Sequence, residues 1–521
     1  MPTKSLSKPW QKRFEKIRNL VRNSLVLVGL VFSSGSLWCQ EPSQKTSTFC
    51  NPISLPNYPI GRFARELPNG DHGPEWMWRL GRKQQFRELA DVTALWFDGR
   101  WYLYPSVDMA WVSEDRGATW EHHPLNVRDI GYAPTIVRHK GRFLLMASDS
   151  PIYVSDQPLG PFELLGKIQL ERTGKMSGFI DPMLFSDSDE RLFYYWGCSP
   201  NGGIWGVQLN ADDPTKVIGL PKELIPFDPN KFPWEAVGNW NQNPHTGWME
   251  GAWMLKQGDK YFLTYCAGGT ENRTYAMGCY IGNSPLGPFE PQMRNPILRS
   301  VDGLVTGTAH GSIVAGPNDE LWAFYSVKAS VVHAFERQLG MDRAGIDSSG
   351  ELFVNEATSM PQWISGAEKK NTKSLATGWL PLNAELRTIG SSDAPNLEGR
   401  FAVDNSLSTW WQPADSDRSP SLTSSFMAPA TVHAIRIVWR EIGLNTPRGT
   451  LPGPIQYRVE VEVADGQWKT ILDRSQSQED LMTDYRECIP TLGSRARLTI
   501  LDWPKGIVPA VAEFTLFGNT K

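Results

Sequence analysis

The sequence has little charge, few cysteines and no long hydrophobic run beyond its N-terminal region. Charged residues make up 21% of the chain, and the net charge of -4 gives no electrostatic reason to expect a nucleic-acid partner. The six cysteines follow no zinc-binding spacing. No later segment is apolar enough to predict a transmembrane helix. These shortages argue against nucleic-acid-binding, zinc-finger and membrane-spanning proteins.

Aromatic and turn-forming residues are abundant instead. The 521 residues include 22 Trp, 46 Gly and 39 Pro. Glycine and proline mark short turns and aromatic residues favour strands, so the composition predicts an all-β protein. The flat face of tryptophan also suits the apolar face of a pyranose sugar, although core packing explains any single tryptophan better.

The N-terminus has the order of an export signal. A basic region from Lys4 to Arg22 precedes an apolar run, Leu25–Phe32, and then small residues at 33–36. This predicts a signal peptide over residues 1–39, an extension over 40–59, and a secreted or periplasmic protein. The segment Ser36–Cys39 faintly resembles a lipoprotein cleavage box, so a lipid-anchored surface protein is the alternative.

Two of the cysteines lie on neighbouring strand-like segments. Cys266 and Cys279 flank a turn at 268–272. They are expected either to pair across a hairpin in an oxidising compartment or to remain two buried thiols.

One pattern recurs five times along the chain. A polar or small residue begins a short apolar strand, a turn with Asp or Gly follows, and an aromatic strand completes a hairpin. Successive copies begin 42 to 69 residues apart, at Asp91, Ala133, Asp181, Glu250 and His310. A second motif, Leu-Gly-Pro-Phe-Glu, occurs at both 159–163 and 286–290. The repeat predicts a five-bladed β-propeller over residues 60–365.

The first residues of the repeats carry chemical meaning. The innermost strand of each blade begins near the central axis, so equivalent residues converge on one pocket. Here that convergence brings Asp91, Asp181, Glu250 and His310 together. Clustered buried acids repel one another, and this cost predicts that they have a function.

With these features the sequence resembles glycoside hydrolase family 43. The resemblance covers nearly all of residues 60–365. It rests on Asp91, the Ile180–Pro182 turn, and the segments Glu250–Trp253 and Gly307–Gly311. It implies a secreted inverting glycosidase that hydrolyses O-glycosidic bonds in plant or algal polysaccharides or oligosaccharides.

The same resemblance assigns roles to the acids. It makes Asp91 the general base, Glu250 the general acid, and Asp181 the neighbour that raises the pKa of Glu250. The simpler interpretations are a polar strand start at Asp91 and a turn initiator at Asp181.

Further residues are predicted to bind sugar or metal. Arg337 matches the family's late arginine that faces sugar hydroxyls, with a surface salt bridge as the alternative. Trp248 and Tyr132 are candidate sugar platforms or core residues. His310 is expected to help hold a structural calcium ion through waters, or to be an ordinary channel histidine. No cofactor is implied for catalysis, and arabinofuranose, xylopyranose or galactose is the implied sugar.

Two other functions fit parts of the sequence. Ser113–Trp120 matches the Asp-box turn of sialidases, but sialidases usually carry several such boxes and six blades. A non-catalytic glycan-binding propeller with a lectin-like module is the alternative from another class.

The C-terminal third has a different pattern. A polar linker is predicted over 366–378, followed by a β-sandwich over 379–521. The segments Phe401–Gln412 and Ala512–Gly518, with strict alternation at 457–463, resemble the discoidin (coagulation factor 5/8 type C) jelly roll. The resemblance implies either glycan binding or a structural buttress, and makes Asp404 a candidate calcium ligand.

Overall fold

The computed structural model describes residues 46–57, 87 and 89–520, apart from gaps at 88, 107–108, 128–129, 173, 330, 332–333, 369–373, 446–447 and 449. The predicted signal peptide lies outside the described residues, as do 58–86 of the extension and propeller. The described chain is nearly all β-structure, with only short 3-10 turns between strands. None of its helices is long and apolar enough to cross a membrane.

The first three repeats each form a separate antiparallel four-stranded sheet, after a short N-terminal strand β1 (Thr48–Phe49). The first sheet contains β2 (Ala90–Phe97), β3 (Arg100–Ser106), β4 (Met109–Ser113) and β5 (Glu121–Pro124). The second contains β6 (Thr135–His139), β7 (Arg142–Met146), β8 (Ile152–Ser155) and β9 (Glu163–Gly166). The third contains β10 (Met183–Ser186), β11 (Leu192–Trp196), β13 (Ile204–Leu209) and β14 (Val217–Ile225), with β12 (Ser199–Pro200) inserted in the chain.

The fourth repeat lies in a larger, seven-stranded sheet. Its main path runs through β12, β16 (Asn243–Gln257), β17 (Lys260–Ala267), β18 (Ala276–Gly282) and β19 (Phe289–Pro291). Two short strands join its sides, β15 (Ala236–Val237) and β20 (Leu298–Arg299). The fifth repeat is again four-stranded, with β21 (Ala309–Ala315), β22 (Leu321–Lys328), β23 (Arg337–Ile346) and β24 (Leu352–Val354).

These sheets are arranged like propeller blades. Their first strands contact one another in the cyclic order β2, β6, β10, β16, β21 and back to β2. The sequence predicts five similar blades, whereas the described structure has four separate four-stranded blades. The fourth repeat differs because its long β16 also pairs with β12 and β15.

The start of each innermost strand corrects one detail of the repeat alignment. Four repeats share a left-handed backbone, with φ between +46° and +55°, at Asp91, Ala133, Asp181 and His310. In the fourth repeat this conformation belongs to Gly251, with φ +60°. Glu250 is therefore not the equivalent of Asp91 but precedes that position by one residue.

Strand pairing and packing explain this offset. Glu250 pairs with Cys266 as Ala90 pairs with Ser106 in the first blade. A Cβ atom on Gly251 would lie 2.7 Å from the imidazole of His310. Glycine is thus required there both by the left-handed backbone and by the adjacent ring.

The Asp-box segment folds as a hairpin turn between β4 and β5. Asp115 accepts hydrogen bonds from the Ser113 hydroxyl and the Thr119 backbone N–H, each at 2.8 Å, and Trp120 is buried beneath the turn. The motif therefore has a folding role in this chain, and Arg116 also ties the turn to the Ser365 backbone oxygen at 2.8 Å.

The C-terminal region forms a second seven-stranded sheet of long, bent strands. The path runs β26 (Leu380–Pro381), β32 (Val508–Thr520), β28 (Ser421–Ile442), β31 (Thr483–Asp502), β29 (Gln456–Ala464) and β30 (Gln467–Asp473). Strand β27 (Thr388–Gly390) pairs with β28. Bulges in β28 let it continue from one face of the sandwich to the other. The sandwich has its own core of alternating apolar residues.

The N-terminal segment and the sandwich are both packed against the propeller. Strand β1 pairs with β25 (Gln362–Trp363), which follows the last blade. The buried Arg436 of the sandwich donates to the backbone oxygens of Asn51 (2.9 Å) and Ser359 (2.6 Å). Arg87, 1% exposed, pairs with Glu441 and with Asp480 (2.8 Å) of the sandwich. Buried charged contacts therefore hold the two β-domains together.

Candidate active site

Hydrogen bonds between neighbouring blades fix the residues at the axis. For four of the five left-handed residues, the backbone N–H donates to a hydroxyl or thiol near the end of the second strand of the preceding blade. These bonds join Asp91 to Ser326 (2.8 Å), Ala133 to Ser106 (2.9 Å), Asp181 to Ser148 (3.0 Å) and His310 to Cys266 (2.9 Å). The carboxylates are consequently held by the propeller frame itself, and the small polar residues that do so were not recognised from the sequence.

Asp91 lies among cationic and polar donors. Arg337 donates to both carboxylate oxygens, at 2.8 and 3.2 Å, and the Ser106 hydroxyl donates at 3.0 Å. The His310 Nδ1 lies 3.1 Å from the same carboxylate. Burial alone would raise the pKa of Asp91, but Arg337 and His310 outweigh it and hold that pKa well below its usual range. Asp91 is therefore ionised at neutral pH.

Among the described residues, Glu250 has no cationic hydrogen-bond partner. Its carboxyl group accepts hydrogen bonds from the Tyr275 hydroxyl and, at 3.2 Å, from the Cys198 thiol. It is buried, and this burial raises its pKa above the usual range despite the opposing influence of His310. Glu250 therefore retains its proton to higher pH than an exposed glutamate does.

Asp181 and His310 complete the cluster. Polar atoms of Asp181, Glu250 and His310 all lie within 4.8 Å of one another. Burial and the negative charges of its neighbours raise the pKa of Asp181, although His310 opposes this. Burial lowers the pKa of His310, but Asp91 and Asp181 more than reverse this and raise it to about 9. The imidazole is thus a cation at neutral pH.

The cluster is poorly suited to the calcium ion that was expected near His310. Calcium takes six to eight oxygen ligands, whereas this cluster offers three carboxyl groups, one of them bonded to Arg337, and a protonated imidazole that repels a cation. The His310 ring contacts Asp91 and Asp181 directly. His310 therefore balances carboxylate charge here, a role that the sequence did not predict.

The predicted sugar-binding residues surround this cluster unequally. Arg337 is 4% exposed and is engaged with Asp91 and with the Thr270 hydroxyl, at 3.0 Å. Trp248 is half-buried and its indole N–H donates to Cys198 at 3.1 Å. Tyr132 is also half-buried, with its ring 6.4 Å from that of Phe335.

Phe335 is an additional aromatic residue that sequence reasoning missed. It is 36% exposed, and the Arg337 guanidinium lies 5.3 Å from the centre of its ring. The one sequence feature that could have indicated Phe335 as a site residue is its position just before Glu336 and Arg337. Tyr132, Phe335 and Trp248 together give the site an aromatic border.

The remaining predicted residues have structural contacts. The Asp404 carboxylate accepts hydrogen bonds from Thr409 (2.7 Å) and from the backbone of Ser406 (3.2 Å), which stabilise its own loop. Cys266 and Cys279 are free thiols, so the predicted alternative of a disulfide is wrong. Cys279 pairs with Thr264, and Cys266 pairs with Met277. The two thiols are therefore diagonal neighbours rather than directly opposed.

Comparison with known proteins finds chains of similar sequence and fold. The model of the family described as glycosyl hydrolases family 43 matches residues 89–351. A β-D-galactofuranosidase of Aspergillus niger is 25% identical over 304 residues, which cover 51% of this chain and 81% of that protein. A β-xylosidase of Xylanibacter ruminicola is 27% identical over 291 residues, covering 43% and 83%. A xylosidase/arabinosidase of Bacteroides ovatus is 28% identical over 290 residues, covering 43% and 82%.

Solved structures include similar chains. The structure of the BlXynB protein from Bacillus licheniformis aligns with 84% of this chain and 99% of its own, at 14% identity and a TM-score of 0.42.

Proposed function

Because the chain belongs to glycosyl hydrolase family 43, we propose that Asp91 and Glu250 are the base and the acid of its inverting reaction. Asp91 removes a proton from a water molecule as the water oxygen forms a bond with the anomeric carbon. On the opposite side, Glu250 donates its proton to the leaving glycosidic oxygen as the bond between this oxygen and the anomeric carbon breaks. The products are a sugar of inverted configuration and a free hydroxyl on the leaving group.

The single observation that carries this assignment is the opposite environment of the two carboxyl groups. Arg337 and His310 keep the pKa of Asp91 low, as a base that must be ionised requires. Burial raises the pKa of Glu250, as an acid that must carry a proton requires. Asp181 and Glu250 repel each other when both are ionised, which further favours a proton on this side of the site.

For the substrate we propose a pentose or galactose unit of a plant or algal polysaccharide or oligosaccharide. The names of the similar proteins support this, since they include a β-xylosidase, a xylosidase/arabinosidase and a β-D-galactofuranosidase. The aromatic border of Tyr132, Trp248 and Phe335 offers flat apolar surfaces on which a sugar ring can pack.

The test is hydrolysis of phenyl β-D-xylopyranoside, phenyl α-L-arabinofuranoside and phenyl β-D-galactofuranoside, whose phenol leaving group needs protonation, by the wild type, Asp91→Asn and Glu250→Gln. Asparagine suits position 91 because it tolerates the left-handed backbone there. The matched control is Glu235→Gln, since Glu235 is a fully buried glutamate that bonds Tyr265 away from the cluster.

We expect turnover of at least one substrate by the wild type and the Glu235 variant, and its loss in the other two. Sugar binding without turnover by the wild type would contradict the proposal and favour the non-catalytic glycan-binding alternative.

Three finer features are also proposals. We infer that the fourth repeat's sheet acts as a fifth blade, a view supported by the cyclic contacts of the five first strands. We infer a discoidin-like class for the C-terminal sandwich, supported by the buried Trp411 in its opening motif. Export through the segment 1–39 predicts a mature protein that lacks these residues, which mass spectrometry of the secreted product tests.

A further inference from the structure

A polar cavity of about 610 Å³ lies between the propeller and the sandwich, outside the carboxylate cluster. Propeller residues on one side include Trp240, Arg273 and Lys328. The sandwich contributes the loop 404–408, where Asn405 lies against Gly303 of the propeller. Both domains therefore build the walls of this cavity.

Trp240 presents a large aromatic surface at the cavity. Its side chain is 73% exposed, and the Arg273 guanidinium lies 5.1 Å from the ring centre. The surrounding loop is anchored by two backbone N–H groups. That of Trp240 donates to the side-chain oxygen of Gln242 (2.9 Å), and that of Arg273 donates to the side-chain oxygen of Asn239 (2.9 Å). The indole is consequently held in place while it remains open to a ligand.

Lys328 supplies a positive charge that the described residues leave unpaired. Arg273 forms an ion pair with Asp302, but Lys328 forms no ion pair with any residue in the described parts of the chain. Lys328 is half-buried, and this burial lowers the pKa of its ammonium group. A partly desolvated ammonium group gains stability when an anion binds beside it.

Residues of the cavity neighbour residues of the candidate active site. Lys328 pairs across the strands with Arg337, the residue that holds Asp91. Arg337 also bonds Thr270, which belongs to the same β17–β18 loop as Arg273. Adjacent strands are about 5 Å apart, so the cavity lies within the reach of a few sugar units from the carboxylates.

From this arrangement we propose that the cavity is a distal subsite for an anionic sugar unit of the polysaccharide that is cut at the axis. The sugar ring packs on Trp240, and its carboxylate or sulfate group binds Lys328. The sandwich then takes part in substrate recognition through its 404–408 loop. This inference rests on the proposed function, whose site it extends.

The test measures binding separately from turnover. Glu250→Gln protein is titrated calorimetrically with a xylo-oligosaccharide that carries one glucuronic acid group, with the unsubstituted xylo-oligosaccharide of equal length, and with a sulfated galacto-oligosaccharide. We expect at least one acidic ligand to bind ten-fold or more tightly than the neutral one. Whichever acidic oligosaccharide binds more tightly identifies the recognised group as a carboxylate or a sulfate.

Variants at the cavity then separate the contribution of the Lys328 charge from that of the Trp240 ring. Lys328→Met, added to Glu250→Gln, is expected to abolish the preference for the acidic ligand, and Trp240→Ala to weaken every ligand about ten-fold. The matched control is Lys222→Met, an exposed lysine on β14. Equal binding of acidic and neutral ligands, or a preference that survives Lys328→Met, overturns the inference.

Turnover of a short aryl glycoside distinguishes this inference from the proposed function. In otherwise wild-type protein, Lys328→Met and Trp240→Ala are expected to keep kcat/KM for that substrate within two-fold, because it does not reach the cavity. Loss of this turnover in both variants would mean that the cavity residues support the fold or the axis, and would contradict the distal subsite.

Discussion

The two sides of the axial site differ sharply although a repeated fold builds both. On one side, Asp91 is bonded by a guanidinium and lies beside an imidazolium. On the other side, Glu250 accepts hydrogen bonds from a phenol and a thiol. One carboxyl group is therefore stabilised as an anion and the other as a neutral acid.

This difference shows how a propeller separates two chemically identical groups. Each blade supplies the same backbone position near the axis, but the neighbouring blade supplies different side chains around it. Arg337, from the last blade, reaches Asp91 on the first. Tyr275, which bonds Glu250, immediately precedes β18 of the sheet that carries Glu250. The acid and base roles thus depend on the side chains that contact each carboxyl group rather than on the repeat itself.

The largest expected effect comes from removing either carboxyl group. Asp91→Asn and Glu250→Gln should each lower kcat by about 10²- to 10⁴-fold on a natural glycosidic bond, the usual contribution of a general acid or base. A glycosyl fluoride or a dinitrophenyl glycoside has a leaving group that departs without protonation, so either substrate should restore activity to Glu250→Gln and not to Asp91→Asn. Equal rescue of both variants would remove the distinction between the two sides.

Removing the cation beside Asp91 should have the next largest effect. Arg337→Met deletes the bidentate contact, so the pKa of Asp91 should rise by about 1–3 units. Activity requires ionised Asp91 and is lost as pH falls through its pKa. The acidic limb of the kcat/KM profile should therefore move to higher pH, while the basic limb stays near its original position.

Asp181→Asn should shift the basic limb of the pH profile of kcat/KM. It removes one member of a coupled acid pair, in which the charge of one carboxyl group raises the pKa of the other, so the higher of the two apparent pKa values of the pair should fall and Glu250 should lose its proton at lower pH. Activity requires protonated Glu250 and is lost as pH rises through its pKa. The basic limb should therefore move to lower pH, and an unchanged basic limb would contradict the coupling of these two acids.

The smallest expected effect comes from removing the Tyr275 hydroxyl that bonds Glu250. Tyr275→Phe removes a donor that stabilises ionised Glu250, so the pKa of Glu250 should rise by a few tenths to about one unit. The basic limb should shift upward, in the direction opposite to that of Asp181→Asn. Thermal unfolding of the variant serves as the check that the fold is retained.

Much of this architecture could be predicted from the sequence. The hairpin repeat predicted the blades, and the positions of Asp91 and Asp181 followed from it. The equivalence of Glu250 with Asp91 was wrong, because the first and fourth blades have the same irregular pairing and the position of Asp91 is occupied by Gly251 in the fourth blade. A strand pattern does not show which residue takes the left-handed backbone.

The contacts that set the protonation states were also beyond the sequence. Arg337 lies 246 positions from Asp91 in the chain, and only the closed ring brings them together. The Ser and Cys residues between blades are common residue types without a distinctive pattern. Their role depends on the neighbouring blade, which a linear pattern does not contain.

The most direct test of the account is the pH dependence of kcat/KM for Glu250→Gln on a dinitrophenyl glycoside, beside that of the wild type. The account predicts a bell-shaped profile for the wild type on an unactivated substrate. It predicts that the variant loses the basic limb and keeps the acidic limb, because Asp91 is still titrated. A variant that retains the basic limb would contradict the assignment of Glu250 as the protonated acid.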